Sequence, residues 1–247
     1  MNIRNYLDST YLKTALQAGI SEIENKKIAL ACTQEAINEK FKLVMIRPEY
    51  VQAVKEIIVA QNSDVLVGTV IGFHEGTATV HEKLNEAKKA IDDGVDELDY
   101  VVNFEAFKKG DTHTVKDEIL QGTKLGLQHH KTVKWIIETA ALDTRQIIQL
   151  STLIKNVIIS HFKESDYEKV FVKSSTGFYK TPDGMSNGAT IEGITAMLEN
   201  AFPLPVKASG GVRNLEDAMI MIQLGVKRIG TSNAKTIVDG LTSTEGY

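Results

Sequence analysis

A chain of 247 residues with 43% apolar side chains can bury one large core, yet it holds no run of the roughly 18 apolar residues that a membrane helix needs. The formal net charge of −4, with no basic stripe interleaved with aromatics, argues against nucleic-acid binding. One cysteine, Cys32, excludes an internal disulfide and suits a reducing compartment such as the cytoplasm; within IALACTQEAI it reads as a small core residue.

The opening MNIRNYLDST has no hydrophobic run behind its arginine, so no secretory signal is expected. Tyr6–Thr10 reads as a first strand, followed by a helix from about Ser21 to Glu39. Lys42–Ile46 is a second strand, and Pro48 stands where the next helix begins, with Val51, Val54, Ile57 and Ile58 along one face. Val65–Ile71 is a third strand; Thr79-Val80-His81-Glu82 then spells a capping box, and Gly94 closes the helix it opens. Glu97–Val102 is a fourth strand, trailed by a helix from about Thr114 to Leu127. At the end of that helix, His129 and His130 meet its terminal carbonyls. Val133–Ile137 is a fifth strand, before a long helix with Ile147, Leu150, Ile154 and Ile158 on one side. KVFVKSSTGF, Lys169 to Phe178, is a sixth strand running into a hydroxyl-rich turn. Thr190 caps the next helix, Pro205–Ser209 is a seventh strand, Asn214 and Gly225 bound another helix, and Lys227–Gly230 is the eighth strand before a last helix near Ser232. Eight strands alternating with eight helices favour a single α/β domain over residues 1–247, a (β/α)8 TIM barrel, with an open doubly wound sheet as the alternative that pattern alone leaves standing. The polar tail 241–247 is expected to be mobile; its terminal Tyr247 could fold over the barrel mouth and assist proton exchange.

Branched aliphatic side chains normally fill a barrel of this kind. Four strands break that rule at similar heights. Asp99 lies in the fourth, Lys134 and Glu138 lie four apart and so on one face of the fifth, and Lys173 and Lys207 lie in the sixth and seventh. Glu97, at the base of its strand, reads as a rim residue. Buried charges are tolerated only as a paired set, so the four together read as an active site. With adjacent strands about 4.8 Å apart, the ammonium groups of Lys173 and Lys207 could come within about 6 Å. Their repulsion, roughly 3 kcal/mol at an effective dielectric near 20, would lower one lysine by about two pKa units. A free amine that attacks a carbonyl is the consequence, with Asp99 held ready by Lys134 for proton transfer. Gly177, then Gly210-Gly211-Val212-Arg213, then Gly230-Thr231-Ser232 follow the last three strands, where a barrel of this kind binds phosphate. Each is singly a tight turn or a cap. The close pairs among the histidines, His74 with His81 and His129 with His130, lack metal-ligand spacing, so no metal and no organic cofactor is expected.

At these residues the chain resembles the deoxyribose-phosphate aldolases, the Schiff-base (class I) aldolases acting on 2-deoxy-D-ribose 5-phosphate. The resemblance runs in order through Leu7-Asp8-Ser9-Thr10-Tyr11-Leu12-Lys13, Gly94-Val95-Asp96-Glu97-Leu98-Asp99, Val133-Lys134-Trp135-Ile136-Ile137-Glu138-Thr139, Val172-Lys173-Ser174-Ser175-Thr176-Gly177-Phe178, Val206-Lys207-Ala208-Ser209-Gly210-Gly211-Val212-Arg213 and Arg228-Ile229-Gly230-Thr231-Ser232. It implies Lys173 as the Schiff-base lysine, Asp99 and Lys207 as the proton donor and acceptor pair, and Lys134 as the neighbour orienting Asp99. Asp8, Thr10, Ser174 and Thr176 would lie near the sugar, and Gly177, Gly210, Gly211, Gly230 and Ser232 would hold the phosphate. The implied partner is a small phosphorylated sugar and an aldehyde, with no nucleic acid and no membrane; a homo-oligomer is compatible with it.

The departures from the family pattern are Ser9 where histidine is frequent, Met45 where cysteine is, His74 within Phe73-His74-Glu75-Gly76 where an FPxG run is, Ser174 where threonine is, and a short segment before the first strand. They bear on aldehyde tolerance, pocket polarity and closure of the barrel's base. Two other readings share the pattern. One is a Schiff-base aldolase that prefers ketone donors; the other is a sugar-phosphate-binding barrel without catalysis.

Overall fold

The computed structural model describes residues 2–182 and 185–241; the expectations for Tyr247 and for residues 242–247 lie outside them. Eight parallel strands follow one another around a ring: β1 (Leu7–Tyr11), β2 (Leu43–Ile46), β3 (Leu66–Ile71), β4 (Glu97–Val101), β5 (Thr132–Ile136), β6 (Val170–Lys173), β7 (Val206–Ser209) and β8 (Arg228–Thr231). Pairing of Leu7 with Ile229 and Asp8 with Gly230 joins β8 to β1 and closes the sheet, which excludes the open alternative. No helix among the described residues is long and apolar enough to cross a membrane.

Period-2 alternation sorts the side chains. Val44, Val67, Leu98, Trp135, Val172 and Ile229 point outward and, with the apolar faces of the helices, form one continuous core. The helices form where local chemistry marks them. Thr79 accepts from the Glu82 amide while the Glu82 side chain bonds back to Thr79, and the same reciprocal cap opens the helices at Ser21 and Asp143. Ile147, Leu150, Ile154 and Ile158 are buried on the helix Thr144–His161, as their spacing requires. Two short helices, Ala15–Ala18 and Phe104–Lys108, were not expected; each is about one turn opened by a side-chain cap, too brief for a hydrophobic period to register.

The barrel interior has two characters. Leu12, Leu43, Met45 and Val70 fill the side near β2 and β3 with an apolar cluster. Met45 extends over Gly68, where a Cβ would lie 2.6 Å from its terminal methyl, so the long thioether depends on that glycine. Charged side chains occupy the other side. The end of β4 is anchored from outside the barrel by Lys83, which donates to the Val101 carbonyl at 2.7 Å and pairs with Glu118 at 2.5 Å, while Glu118 accepts from the Asn103 amide at 2.7 Å.

Candidate active site

Strand register sets the charged cluster. Asp99 stands opposite Lys134, Lys173 opposite Lys207, and Lys207 opposite Arg228. Because neighbours in register share a pleat, all of these side chains enter the same cavity. Asp99 Oδ1 accepts from Lys134 Nζ at 2.5 Å, and its Oδ2 accepts from both Lys173 Nζ at 2.9 Å and Lys207 Nζ at 3.0 Å. The two lysines thus face each other across a single carboxylate oxygen. Lys207 also bonds Asp8 Oδ2 at 2.5 Å, and Asp8 Oδ1 accepts from Arg228 Nη2 at 2.6 Å.

Two members were not read correctly from the sequence. Glu97 is buried rather than at a solvated rim: Lys134 reaches it at 2.5 Å and Arg228 at 3.0 Å. Arg228 went unnoticed because it opens a short strand after Lys227, where a cation looks like surface. Only barrel closure sets it between Asp8 and Glu97. Glu138 departs differently. It lies just past the end of β5 with φ at 56°, and its carboxyl bonds the Thr176 amide and hydroxyl instead of joining Lys134 on the strand face.

The cluster holds three carboxylates, Asp8, Glu97 and Asp99, against four cationic side chains, Lys134, Lys173, Lys207 and Arg228. Burial favours an electroneutral set, and the odd cation is Lys173. Its amine is depressed to about 8, by desolvation first and by Lys207 second, against the opposing pull of Asp99. The expected cause therefore ranks behind burial itself. Burial also pushes the Asp99 carboxyl up, but Lys134, then Lys173 and Lys207, more than reverse this and hold it well below the usual carboxylate range. Lys134 is raised, since Asp99 and Glu97 outweigh its desolvation. Burial pushes the Cys32 thiol up to about 11, so it stays protonated, beside the Ser9 hydroxyl at 3.5 Å.

The hydroxyls expected near a sugar already have protein partners. Ser174 Oγ donates to the Ser209 carbonyl at 3.2 Å and accepts from its amide at 2.9 Å, tying β6 to β7. Thr176 bonds Glu138, and Thr10 Oγ1 donates to the Asp8 carbonyl at 2.8 Å. Above β6 to β8, Gly177, Gly210 and Gly211 all have left-handed backbones, with φ of 81°, 74° and 76°. Gly210, Gly211, Arg213 and Ser232 line one small concavity with Asn187 and Asn233, two residues that carried no signal in the sequence. Gly230 has a second duty. A Cβ there would lie 3.1 Å from Lys207 Cε and 2.7 Å from Ser209 Oγ, so its bareness makes room for the lysine. On the opposite side of the mouth, Phe178 packs edge-on to Phe73 at 5.1 Å and stacks with His74 at 5.7 Å.

Fold and site together define a (β/α)8-barrel enzyme whose charged cluster lies within the ring of strands. The chain is 38% identical to the deoxyribose-phosphate aldolase of Staphylococcus saprophyticus over 100% of both chains, and 36% identical to that of Thermococcus gammatolerans over 99% of both. It belongs to the deoxyribose-phosphate aldolase family. The solved tetrameric deoxyribose phosphate aldolase of Aeropyrum pernix superposes with a TM-score of 0.77 at 25% identity, covering 96% of this chain and 89% of that one. No family model matches the chain.

Proposed function

We propose that this protein cleaves 2-deoxy-D-ribose 5-phosphate, reversibly, to D-glyceraldehyde 3-phosphate and acetaldehyde through a Schiff base on Lys173. The observation that carries the reading is the pairing of Lys173 and Lys207 on one oxygen of Asp99, inside a buried set with one cation too many. Free Lys173 Nζ adds to the C1 aldehyde, and the carbinolamine loses water to give an iminium. Asp99, through an intervening water and with Lys207 in the relay, takes the C3 hydroxyl proton. The C2–C3 electrons pass into the iminium, C3 becomes the aldehyde carbon of glyceraldehyde 3-phosphate, and an enamine remains. A proton returned to C2 regenerates the iminium, which water hydrolyses to acetaldehyde and the free lysine.

Charge coupling favours this sequence. Deprotonating Lys173 removes one of the three ammonium groups that depress Asp99, so the carboxylate is more basic in the state in which the amine is nucleophilic. Asp8 holds Lys207 in place, and Lys134 orients Asp99. Thr10, Ser174 and Thr176 border the sugar, while Gly177, Gly210, Gly211, Gly230 and Ser232 hold the phosphate through backbone N–H groups and a hydroxyl.

The test is reductive trapping. With acetaldehyde and borohydride, a mass-mapped ethyl adduct should appear on Lys173. Since only the free amine reacts and the lysine is held near about 8, the trapping rate should climb about tenfold per pH unit below ~7 and level off above ~9. An adduct on another lysine, or a rate that is flat across that range, would sink the assignment. A second variant probes the geometry. Gly230→Ala should lower kcat by ~10- to 100-fold in a folded protein, because the new methyl displaces Lys207 from Asp99. Full activity by steady-state kinetics would show that the lysine has slack.

A further inference from the structure

The mechanism above leaves the buried carboxyl of Glu138 unused. Glu138 sits between two backbone bonds that bracket the catalytic lysine: the Ile137 amide donates to the Lys173 carbonyl at 3.0 Å, and the Thr139 amide donates to the Ser174 carbonyl at 2.9 Å. Between them its backbone takes the left-handed conformation, φ 56° and ψ 69°, which a residue with a long side chain rarely adopts unless its surroundings impose it. That twist carries the carboxyl off the strand face and onto the turn that follows Lys173. Oε2 accepts from the Thr176 amide at 3.1 Å and from the Thr176 hydroxyl; the same hydroxyl accepts from the Phe178 amide at 3.0 Å. Gly177, a residue of the phosphate cradle with φ at 81°, lies between those two anchors. One carboxylate thus ties the backbone beside the amine to the backbone beside the phosphate.

One oxygen of the Glu138 carboxyl, Oε2, makes these bonds. Oε1 is buried with no hydrogen-bond partner. From β6, the charged side chain acting on the group is Lys173; from the β6 turn Thr176 bonds it, and from its own turn the Ala140 N–H faces it. Desolvation pushes the carboxyl up to about 7 against these three influences.

We propose that Glu138 is a positioning residue for the reaction: through Thr176 it pins the turn joining the Schiff-base lysine to the phosphate cradle. The inference rests on the Schiff-base reading above. Glu138→Gln keeps size and an acceptor while removing the charge. It should hold kcat/KM within ~3-fold of wild type and leave the pH midpoint of acetaldehyde trapping in place, whereas Glu138→Ala, which cuts the tie to Thr176, should lower kcat/KM by ~10-fold. Thr176→Val should raise KM and leave that midpoint in place. In the Glu138→Ala, Thr176→Val double variant the losses should overlap, falling within ~3-fold of the worse single change. Losses that multiply, or a Glu138→Gln protein as impaired as Glu138→Ala, would overturn the inference. If Glu138→Ala does not fold, Glu138→Asp tests the reach alone: kcat/KM should drop, and unchanged kcat/KM would overturn the link to Thr176. A wild-type protein that cannot be trapped defeats the Schiff-base reading and this inference with it. A trapped wild type beside an unaltered Glu138→Ala defeats only the inference.

Discussion

Lys173→Met should abolish borohydride trapping and reduce aldol cleavage to background, in a protein that folds at least as well as the wild type. Loss of the amine removes the electron sink, and no other group in the cavity replaces it: Lys207 is held by Asp8 at 2.5 Å and Asp99 at 3.0 Å, and Lys134 by Glu97 and Asp99, both at 2.5 Å. The stability half of the expectation follows from charge. Removing the surplus cation leaves three carboxylates with three cationic partners, and exchanging an ammonium for a thioether of similar length relieves a desolvation penalty without leaving a cavity. The midpoint of urea unfolding should therefore stay or rise. Residual cleavage above ~1% of wild type would show that Lys173 is not the nucleophile. A marked fall in stability would show that the cluster needs its charge.

Asp99→Asn should have the opposite thermodynamic sign. It removes the one carboxylate that binds Lys134, Lys173 and Lys207 together, and so leaves buried cations without a counter-charge. Breaking a buried pair in this way costs about 3–5 kcal/mol, a large part of a typical domain's stability. Turnover should fall by ~10²–10⁴ because the proton relay is lost. Lys173 should at the same time become easier to deprotonate, since Asp99 is the group that stabilises its charged form most strongly. The combined expectation is fast trapping of acetaldehyde at neutral pH with little cleavage of the sugar phosphate. Trapping slower than wild type at pH 7 would contradict the assigned electrostatics. Unchanged cleavage would remove Asp99 from the relay.

The charged cluster is partly legible in the sequence because of where its members stand. Asp99, Lys134, Lys173 and Lys207 interrupt runs of β-branched and aliphatic residues, and period-2 alternation is a local property that a single strand displays. Glu97 and Arg228 sit at strand starts, where a charge ordinarily meets water. Nothing local separates a base that is solvated from one sealed by its neighbours. Glu138 shows a second limit. Its spacing from Lys134 puts it on the same face of an ideal strand, but the left-handed twist at that residue redirects it. Glycine, not glutamate, is the residue that ordinarily announces such a turn.

The amino-acid sequence by itself determined the alternation of eight strands and their helices, the capping box at Thr79, and the charges that β4 to β7 carry into the barrel. These depend on residues a few positions apart, whose chemistry acts within one element. Tertiary structure decided closure of β8 on β1, the pairing of Arg228 with Asp8 and Glu97, and the rank of causes behind the depressed amine of Lys173, with burial ahead of its neighbouring lysine. Desolvation is a property of everything packed around a group, and partners more than a hundred residues apart become neighbours only when the ring shuts.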